Sequence, residues 1–288
     1  MIIIDGKSTS MKIKESIKVE VDKLENAPLL VAIQVGDNLA SSVYVKNKVK
    51  SCEECGFKSE VIKLPDDISE AQLIEEVYKL NKRDDVNGFI VQLPLPKHIN
   101  EQHIIEAIDP IKDVDGFTPI NLGRLMIGED CYEPATPSGI IDLLAEYNIE
   151  TKGKKVVIVG RSNIVGKPLA NLMLRKGIDA TVTVCHSKTP QQELINYLMD
   201  ADIIIAAVGI PKFIKVCKSN AVIIDVGINR IDDPTTKTGK RLVGDVDFDA
   251  ISEKTYAITP VPGGVGPMTV CSLMKNTLKA YKKQHSIE

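Results

Sequence analysis

The stretch Val156-Val157-Ile158-Val159-Gly160-Arg161-Ser162-Asn163-Ile164-Val165-Gly166-Lys167-Pro168 decides how this chain folds. Residues 156–159 are an unbroken apolar run, which suits a strand buried on both faces. Two glycines and a Lys-Pro step then read as a tight turn leading into a helix. Strand, glycine turn and helix start are the context that a phosphate-binding turn requires. Gly160 lets the backbone turn, Gly166 lets the helix pack closely, and the helix N-terminus offers unpaired N–H groups to an anion. The spacing is G-x-S-x-x-x-G rather than G-x-G-x-x-G, so this segment alone also fits a glycine turn in a ligand-free domain.

Downstream, apolar runs at 181–184, 203–208, 222–226 and 256–259 predict further strands separated by helical segments. That alternation implies a parallel sheet covered on both faces, hence a doubly wound, Rossmann-like domain. Upstream, Leu29–Val35 predicts a strand, 40–55 a helix ending at Gly56, Lys58–Leu64 a strand, 69–81 a helix capped by Ser69, and 88–92 a strand. The first third is therefore a separate N-terminal α/β domain. Pro94, Pro96, Pro110, Pro119, Pro134 and Pro137 leave little room for long regular structure between 94 and 137, and a domain boundary falls in or just beyond that stretch. The domains are set at 1–120 and 121–267. A last helix, from about 268, follows a Gly/Pro hinge and suits either domain.

A chain of 288 residues is long enough to split its core in two. Lys plus Arg number 36 against 39 Asp plus Glu, and the net charge of -3 gives no field to gather nucleic acid or an anionic membrane. A small-molecule partner is favoured. The start Met-Ile-Ile-Ile-Asp-Gly has no basic n-region or apolar h-region, and no later run approaches a membrane span, so neither export nor insertion is expected. Six cysteines are too few for a disulfide scaffold and fit a reducing cytoplasm. Cys52 and Cys55 form a C-x-x-C, but without a second pair they read as helix positions rather than a metal site, and no metal is expected.

Chemistry-bearing residues precede the glycine turn. Tyr44 and Lys48 are four apart, which on a helix puts phenol and amine on one face. A Lys in a partly desolvated site can have its pKa lowered and serve in proton transfer. Lys46, Lys48 and Lys50 also suit a plain solvated helix face. Gln92 ends a strand before Leu93-Pro94-Leu95-Pro96, where an amide can face a crevice. In Asp113-Val114-Asp115-Gly116-Phe117 a carboxylate can accept two parallel hydrogen bonds from a flat heterocycle, or the segment is an Asp-rich surface turn. The loop at 259–269, with three prolines and three glycines, suits a rigid wall against a ligand. About 20 residues after the glycine turn stands Cys185-His186-Ser187-Lys188 with no acid to hold a ribose hydroxyl. Arg161 with Ser187 or Lys188 would instead hold a 2′-phosphate, so NADP is the expected cofactor. His186 reads equally as a surface residue. Gly209 and Gly227 each follow an apolar strand, and Ile228 is placed for the nicotinamide end.

Tyr-x-x-x-Lys, Val-Gln-Leu-Pro-Leu-Pro, Asp-Val-Asp-Gly-Phe, Gly-Arg-Ser-x-Ile-Val-Gly-x-Pro, Thr-Val-Thr-x-Cys-His-Ser and Pro-Gly-Gly-Val-Gly-Pro-Met-Thr occur in this order along nearly the whole chain. The sequence thereby resembles the bifunctional methylenetetrahydrofolate dehydrogenase/methenyltetrahydrofolate cyclohydrolase family. The resemblance implies a cytoplasmic homodimer whose subunits bind folate in an interdomain cleft, with the last helix, 268–288, joining the N-terminal domain. It implies NADP-dependent oxidation of 5,10-methylenetetrahydrofolate and hydrolysis of the methenyl product to 10-formyltetrahydrofolate. Lys48 matches the catalytic lysine, Tyr44 its tyrosine, Gln92 the glutamine and Asp115 the pterin-binding aspartate. Ser41, Pro262 and Gly263 fall in substrate positions, and Gly160, Arg161, Ser162, Ile164, Ser187 and Ile228 in cofactor positions.

Other readings are a dehydrogenase without hydrolase activity, a short-chain dehydrogenase, and a dinucleotide-sensing module. In short-chain dehydrogenases the glycine turn precedes the Tyr-Lys pair, the reverse of the order here. A sensing module would not need Tyr44, Lys48, Gln92 and Asp115.

Overall fold

The computed structural model describes residues 1–236 and 239–287. The chain opens with β1 (Ile2–Ile3) and α1 (Gly6–Val21), followed by β2 (Leu29–Val35), α2 (Leu39–Cys55), β3 (Lys58–Leu64), α3 (Glu70–Asn81), β4 (Gly88–Val91), α4 (Glu101–Ala107) and α5 (Pro119–Ile127). A second series contains α6 (Ala135–Glu146), β5 (Lys155–Val159), α7 (Gly166–Leu174), β6 (Thr181–Cys185), α8 (Gln191–Asp200), β7 (Ile203–Ala206) and β8 (Val222–Asp225). An antiparallel pair, β9 (Asn229–Asp232) and β10 (Lys240–Val243), precedes α9 (Phe248–Ile251), β11 (Ala257–Ile258) and α10 (Val265–Gln284). Two compact units result, one of Met11–Ala135 with the C-terminal segment from Val270, the other of Met1–Ser10 with Thr136–Thr269.

The first unit is built on a three-stranded parallel sheet in the order β3-β2-β4. Successive side chains of a strand point to opposite faces, and both faces of β2 are buried. Leu30 and Ala32 join Ile17 and Val21 of α1, Val45, Cys52 and Cys55 of α2, and Leu273, Met274 and Leu278 of α10. Val31, Ile33 and Val35 pack against Leu73, Val77 and Leu80 of α3 and Ile104 of α4. Each Val, Leu, Ile or Met among them contributes roughly 1.5–3 kcal/mol on burial. Ser69 accepts from the Gln72 N–H while the Gln72 side chain accepts from Ser69 N–H, a reciprocal cap that starts α3. At the far end the buried Lys112 Nζ donates to Leu80 O and Arg83 O. The region from 94 to 137 holds more regular structure than its prolines suggest. Thr118 caps α5, Pro119 opens it, and Gly128 in the left-handed conformation closes it.

The second unit holds a six-stranded parallel sheet in the order β1-β11-β8-β7-β5-β6. The chain steps outward from β5 to β6 and then crosses back to β7. Right-handed crossovers therefore place α7 and α8 on opposite faces, the doubly wound arrangement. The strand order reverses at β5, so the ligand crevice of such a sheet lies beyond the C-terminal ends of β5 and β7. At one edge β1 pairs with β11 through Ile2 N–H to Tyr256 O (2.8 Å) and Ile4 N–H to Ile258 O (2.9 Å). Among the described residues no helix is long and apolar enough to cross a membrane.

Candidate active site

Three polar side chains meet at the C-terminal end of the three-stranded sheet. The Gln92 N–H extends the β4 ladder by one bond, to Ile33 O at 2.9 Å, which fixes the residue where the strand ends. Its side-chain Nε2 donates to Leu93 O (2.6 Å), and Oε1 accepts from Lys48 Nζ (3.1 Å). Lys48 comes from α2, where Ser41, Tyr44 and Lys48 follow one another at three- and four-residue steps along one face. Lys46 and Lys50 are exposed, whereas Lys48 is half-buried. The solvated face of α2 thus belongs to its neighbours. Ser41 is buried, and Tyr44 remains 42% exposed, leaving its ring open to a ligand. The buried Gln34 donates to Gly36 O and Ser42 Oγ, tying the end of β2 to the start of α2.

Asp115 reaches the same sheet end by register. Phe89 of β4 forms a parallel bridge with Asp113, so two residues farther along Asp115 stands level with Val91. The turn carrying it is not a surface turn. Asp113 is 1% exposed, and its carboxylate accepts from the N–H groups of Gly116, Phe117 and Thr118 and from Asn121 Nδ2. Gly116 has a φ of 73°, and a Cβ there would strike Tyr132 O. Asn276 Nδ2 holds Val114 O at 2.9 Å. Burial lowers the Lys48 pKa, opposed by the Asp115 charge. Burial raises the Asp115 carboxyl, opposed by Lys48 and reinforced by Asp113. Both groups are pushed toward their neutral forms, which suits an amine that must accept a proton near neutral pH.

In the six-stranded unit the glycine turn sits at the end of β5. Gly160 has a φ of 131° and donates to Cys185 O; a Cβ on it would strike Ala207 O, and one on Gly166 would strike Gly160 O. Ser162 Oγ accepts from the N–H groups of Val165 (3.1 Å) and Gly166 (3.4 Å), holding the backbone at the start of α7. Arg161, Ser162, Ile164, Ser187 and Lys188 are exposed around it, and Ile228 is 45% exposed beyond β8. His186 folds into its own turn, its Nδ1 accepting from Lys188 N–H. Gly263 O accepts from Lys7 N–H, fixing the loop that carries the exposed Pro262.

Residues 4–115 match the model of the tetrahydrofolate dehydrogenase/cyclohydrolase catalytic domain, and residues 134–285 that of the tetrahydrofolate dehydrogenase/cyclohydrolase NAD(P)-binding domain. The chain belongs to the tetrahydrofolate dehydrogenase/cyclohydrolase family. The bifunctional protein FolD of Bacteroides thetaiotaomicron is 55% identical over 98% of this chain and 99% of its own length. The bifunctional FolD methylenetetrahydrofolate dehydrogenase/cyclohydrolase of Campylobacter jejuni superposes with a TM-score of 0.92 at 46% identity, covering 98% of this chain and 99% of that one. The Trypanosoma brucei dehydrogenase-cyclohydrolase, solved with NADP cofactor and an inhibitor, gives 0.93 at 38% identity, covering 98% of each chain.

Within this family member the structure brings Lys48, Gln92 and Asp115 to one sheet end and puts the glycine turn at the switch point of the other unit. Sequence reading passed over Asp113 as an organiser of its turn, and passed over Gln34, although an amide inside the apolar run of β2 was a visible signal. The thiols of Cys52 and Cys55 face the core. Cys52 Sγ lies 3.8 Å from Met274 Sδ, and burial pushes the two thiols up to about 12 and about 11.

Proposed function

We propose that this chain oxidises 5,10-methylenetetrahydrofolate to 5,10-methenyltetrahydrofolate with NADP and hydrolyses the product to 10-formyltetrahydrofolate. The observation that carries this is the Lys48–Gln92 hydrogen bond at a sheet end shared with Asp115, in a chain that matches both domain models of the family. The unit beginning at Met11 carries Ser41, Tyr44, Lys48, Gln92 and Asp115, and the unit holding Gly160 carries the dinucleotide residues together with Pro262 and Gly263.

Asp115 accepts hydrogen bonds from the pterin, Tyr44 lies along the folate, and Ser41, Pro262 and Gly263 complete the substrate set. The dinucleotide fits the second unit because Gly160 and Gly166, where a Cβ would strike the backbone of Ala207 and of Gly160, let the turn close tightly at the start of α7, and a helix N-terminus suits a pyrophosphate. Gly160, Ser162 and Ile164 line that turn and Ile228 the nicotinamide end. No acid follows β6 to repel a 2′-phosphate, and the exposed Arg161 and Ser187 answer it. Bound NADP supplies a hydride acceptor. The substrate loses hydride from its bridging carbon and becomes a methenyl cation delocalised over two nitrogens. Water adds to that carbon as Lys48, in its amine form, takes the water proton. The hydroxyl then gives up its proton as its oxygen forms the C=O bond and the carbon–N5 bond breaks, N5 takes up a proton, and the formyl group stays on N10. Gln92 holds Nζ toward the reacting carbon throughout.

The same reading makes the protein a cytoplasmic homodimer. Six buried free thiols support a reducing compartment, and a monomer mass in sedimentation equilibrium would overturn the dimer. The activity is tested by giving purified protein methylenetetrahydrofolate with NADP and NAD in parallel, following reduced nicotinamide and methenyl product together. Reduced NADP with little methenyl accumulation is expected. Methenyl accumulation would reduce the activity to a dehydrogenase, preference for NAD would overturn the role of Arg161 and Ser187, and no reduction of either cofactor would overturn the reading.

A further inference from the structure

Two carboxylates lie buried at the C-terminal ends of β7 and β8 with no cation beside them among the described residues. Asp245 is 0% exposed and Asp225 4% exposed, and among the described residues neither forms an ion pair. Burying an unpaired carboxylate is costly unless its oxygens are filled by donors, and here backbone N–H groups and one side-chain amide fill them. Asp245 Oδ2 accepts from Val208 N–H (2.7 Å) and Gly209 N–H (2.9 Å), and Oδ1 accepts from Asn229 Nδ2 (2.8 Å). Asp225 in turn accepts from the N–H groups of Asp245 (2.9 Å), Val246 (3.0 Å) and Gly227 (3.0 Å). The packing leaves no slack. A Cβ on Gly227 would strike the Asp245 carboxylate, and a Cβ on Gly244 the Asp225 carboxylate.

The segments held this way are the walls of the crevice. Val208 and Gly209 directly follow Ala207, whose carbonyl oxygen lies against Gly160 of the dinucleotide turn. Gly227 and Asn229 flank Ile228. Asp245, returning after the β9–β10 hairpin, is the group that ties the loop after β7 to the loop after β8. Parallel strands cannot make that tie themselves, because their ladder stops where the loops begin.

We propose that Asp245 is a positioning residue for the dinucleotide, fixing the 207–209 and 227–229 segments as one rigid wall, with Asp225 holding Asp245 in place. The proposal rests on the reading of this unit as the NADP site. Its role is to keep the wall shaped before the cofactor arrives, so its loss weakens cofactor binding and leaves hydrolysis alone.

The test compares wild type with Asp245→Ala and Asp245→Asn by calorimetric titration with NADP, by dehydrogenase kinetics, and by hydrolysis of supplied methenyltetrahydrofolate without cofactor. Asp245→Ala is expected to raise both the Kd and the KM for NADP by about tenfold, with kcat and hydrolysis changed less than about twofold. Asp245→Asn is expected to recover most of the affinity, because its Oδ1 can take both N–H groups while its amide faces a flipped Asn229. Unchanged NADP affinity in Asp245→Ala overturns the proposal. Should that variant lose hydrolysis as well, Asn229→Ala removes one bond from the same carboxylate, and an NADP Kd equal to wild type then overturns it. Wild type that fails to bind NADP overturns the cofactor reading, and this proposal with it; wild type that binds NADP without turnover overturns only the activity.

Discussion

Lys48 Nζ donates to Gln92 Oε1 at 3.1 Å, and the same amide is anchored through Nε2 to Leu93 O. The amine is therefore aimed by a neutral group that adds no charge to it, while burial lowers its pKa. On the proposed mechanism, replacing Lys48 by Ala removes the proton acceptor and leaves Gln92 in place. Hydrolysis of supplied methenyltetrahydrofolate should fall by about 10²-fold or more, read as the decay of methenyl absorbance. Turnover at the wild-type rate would remove Lys48 from its role.

Gln92→Glu tests the neutrality of that contact. A carboxylate at the position of Oε1 favours the ammonium, so the pKa of Lys48 rises. If Lys48 acts as the amine, hydrolysis climbs with pH through that pKa. The rising limb of the pH–rate profile should therefore move to higher pH by about one to three pH units. A profile that only drops in height, without moving, would assign Gln92 to shape rather than to electrostatics.

β2 and β5 could be bounded from sequence closely because their apolar runs, broken in β2 only by Gln34 and preceded in β5 by Lys155, are buried on both faces; β3 was read from Val61, Ile62 and Leu64 among polar residues and stays only partly buried. α1 could not be bounded, because the buried face of its first half is made of Gly6, Thr9 and Ser10, and its apolar signal, Ile13, Ile17 and Val21, starts only past the middle of its first half. α5 was hidden by the prolines around it and by the buried Asn121 on its inner face, although Thr118-Pro119 and Gly128 marked both ends. In the site, residue types could be read but partnerships could not. Lys48 and Gln92 are 44 residues apart and meet only because β2 and β4 are parallel neighbours. Asp225 and Asp245 were harder still, since carboxylates held by backbone N–H groups and, for Asp245, one Asn229 amide have no charged partner to suggest them.

The C-x-x-C pair gives a chemical test of the core. All six cysteines are buried and free, and Cys52 and Cys55 have thiols pushed up to about 12 and about 11, mainly by burial. Thiolate is the reactive form, so neither should react at pH 8. Titration with a disulfide reagent should give fewer than about one thiol per chain in the native protein and the full set in denaturant. Fast native reaction of two thiols, mapped to Cys52 and Cys55, would contradict the packing of α2 against α10.

Asp225 makes stability depend on pH in the direction opposite to an ion-paired carboxylate. Burial raises its pKa from 3.8 to about 6, more than the N–H donors of Asp245, Val246 and Gly227 lower it, and the Asp245 charge adds to the rise. The folded chain then holds this proton more tightly than the unfolded chain, so unfolding free energy falls as pH rises from about 4 to about 6 and levels off above. The contribution is on the order of 3 kcal/mol. Carboxylates nearer the surface whose pKa values are lowered, the exposed Asp85 beside Arg83 and the half-buried Asp202 beside Lys218, act with the opposite sign but are weakened by solvent. The difference between wild type and Asp225→Asn isolates the buried group. The Asn amide faces Val246 N–H and costs stability at every pH, a constant that drops out of the slope. Urea unfolding at intervals from pH 4 to 7 should show wild type losing its advantage over the variant as the pH rises. Parallel curves would mean that Asp225 keeps an ordinary carboxyl pKa, and that the three N–H donors outweigh its burial.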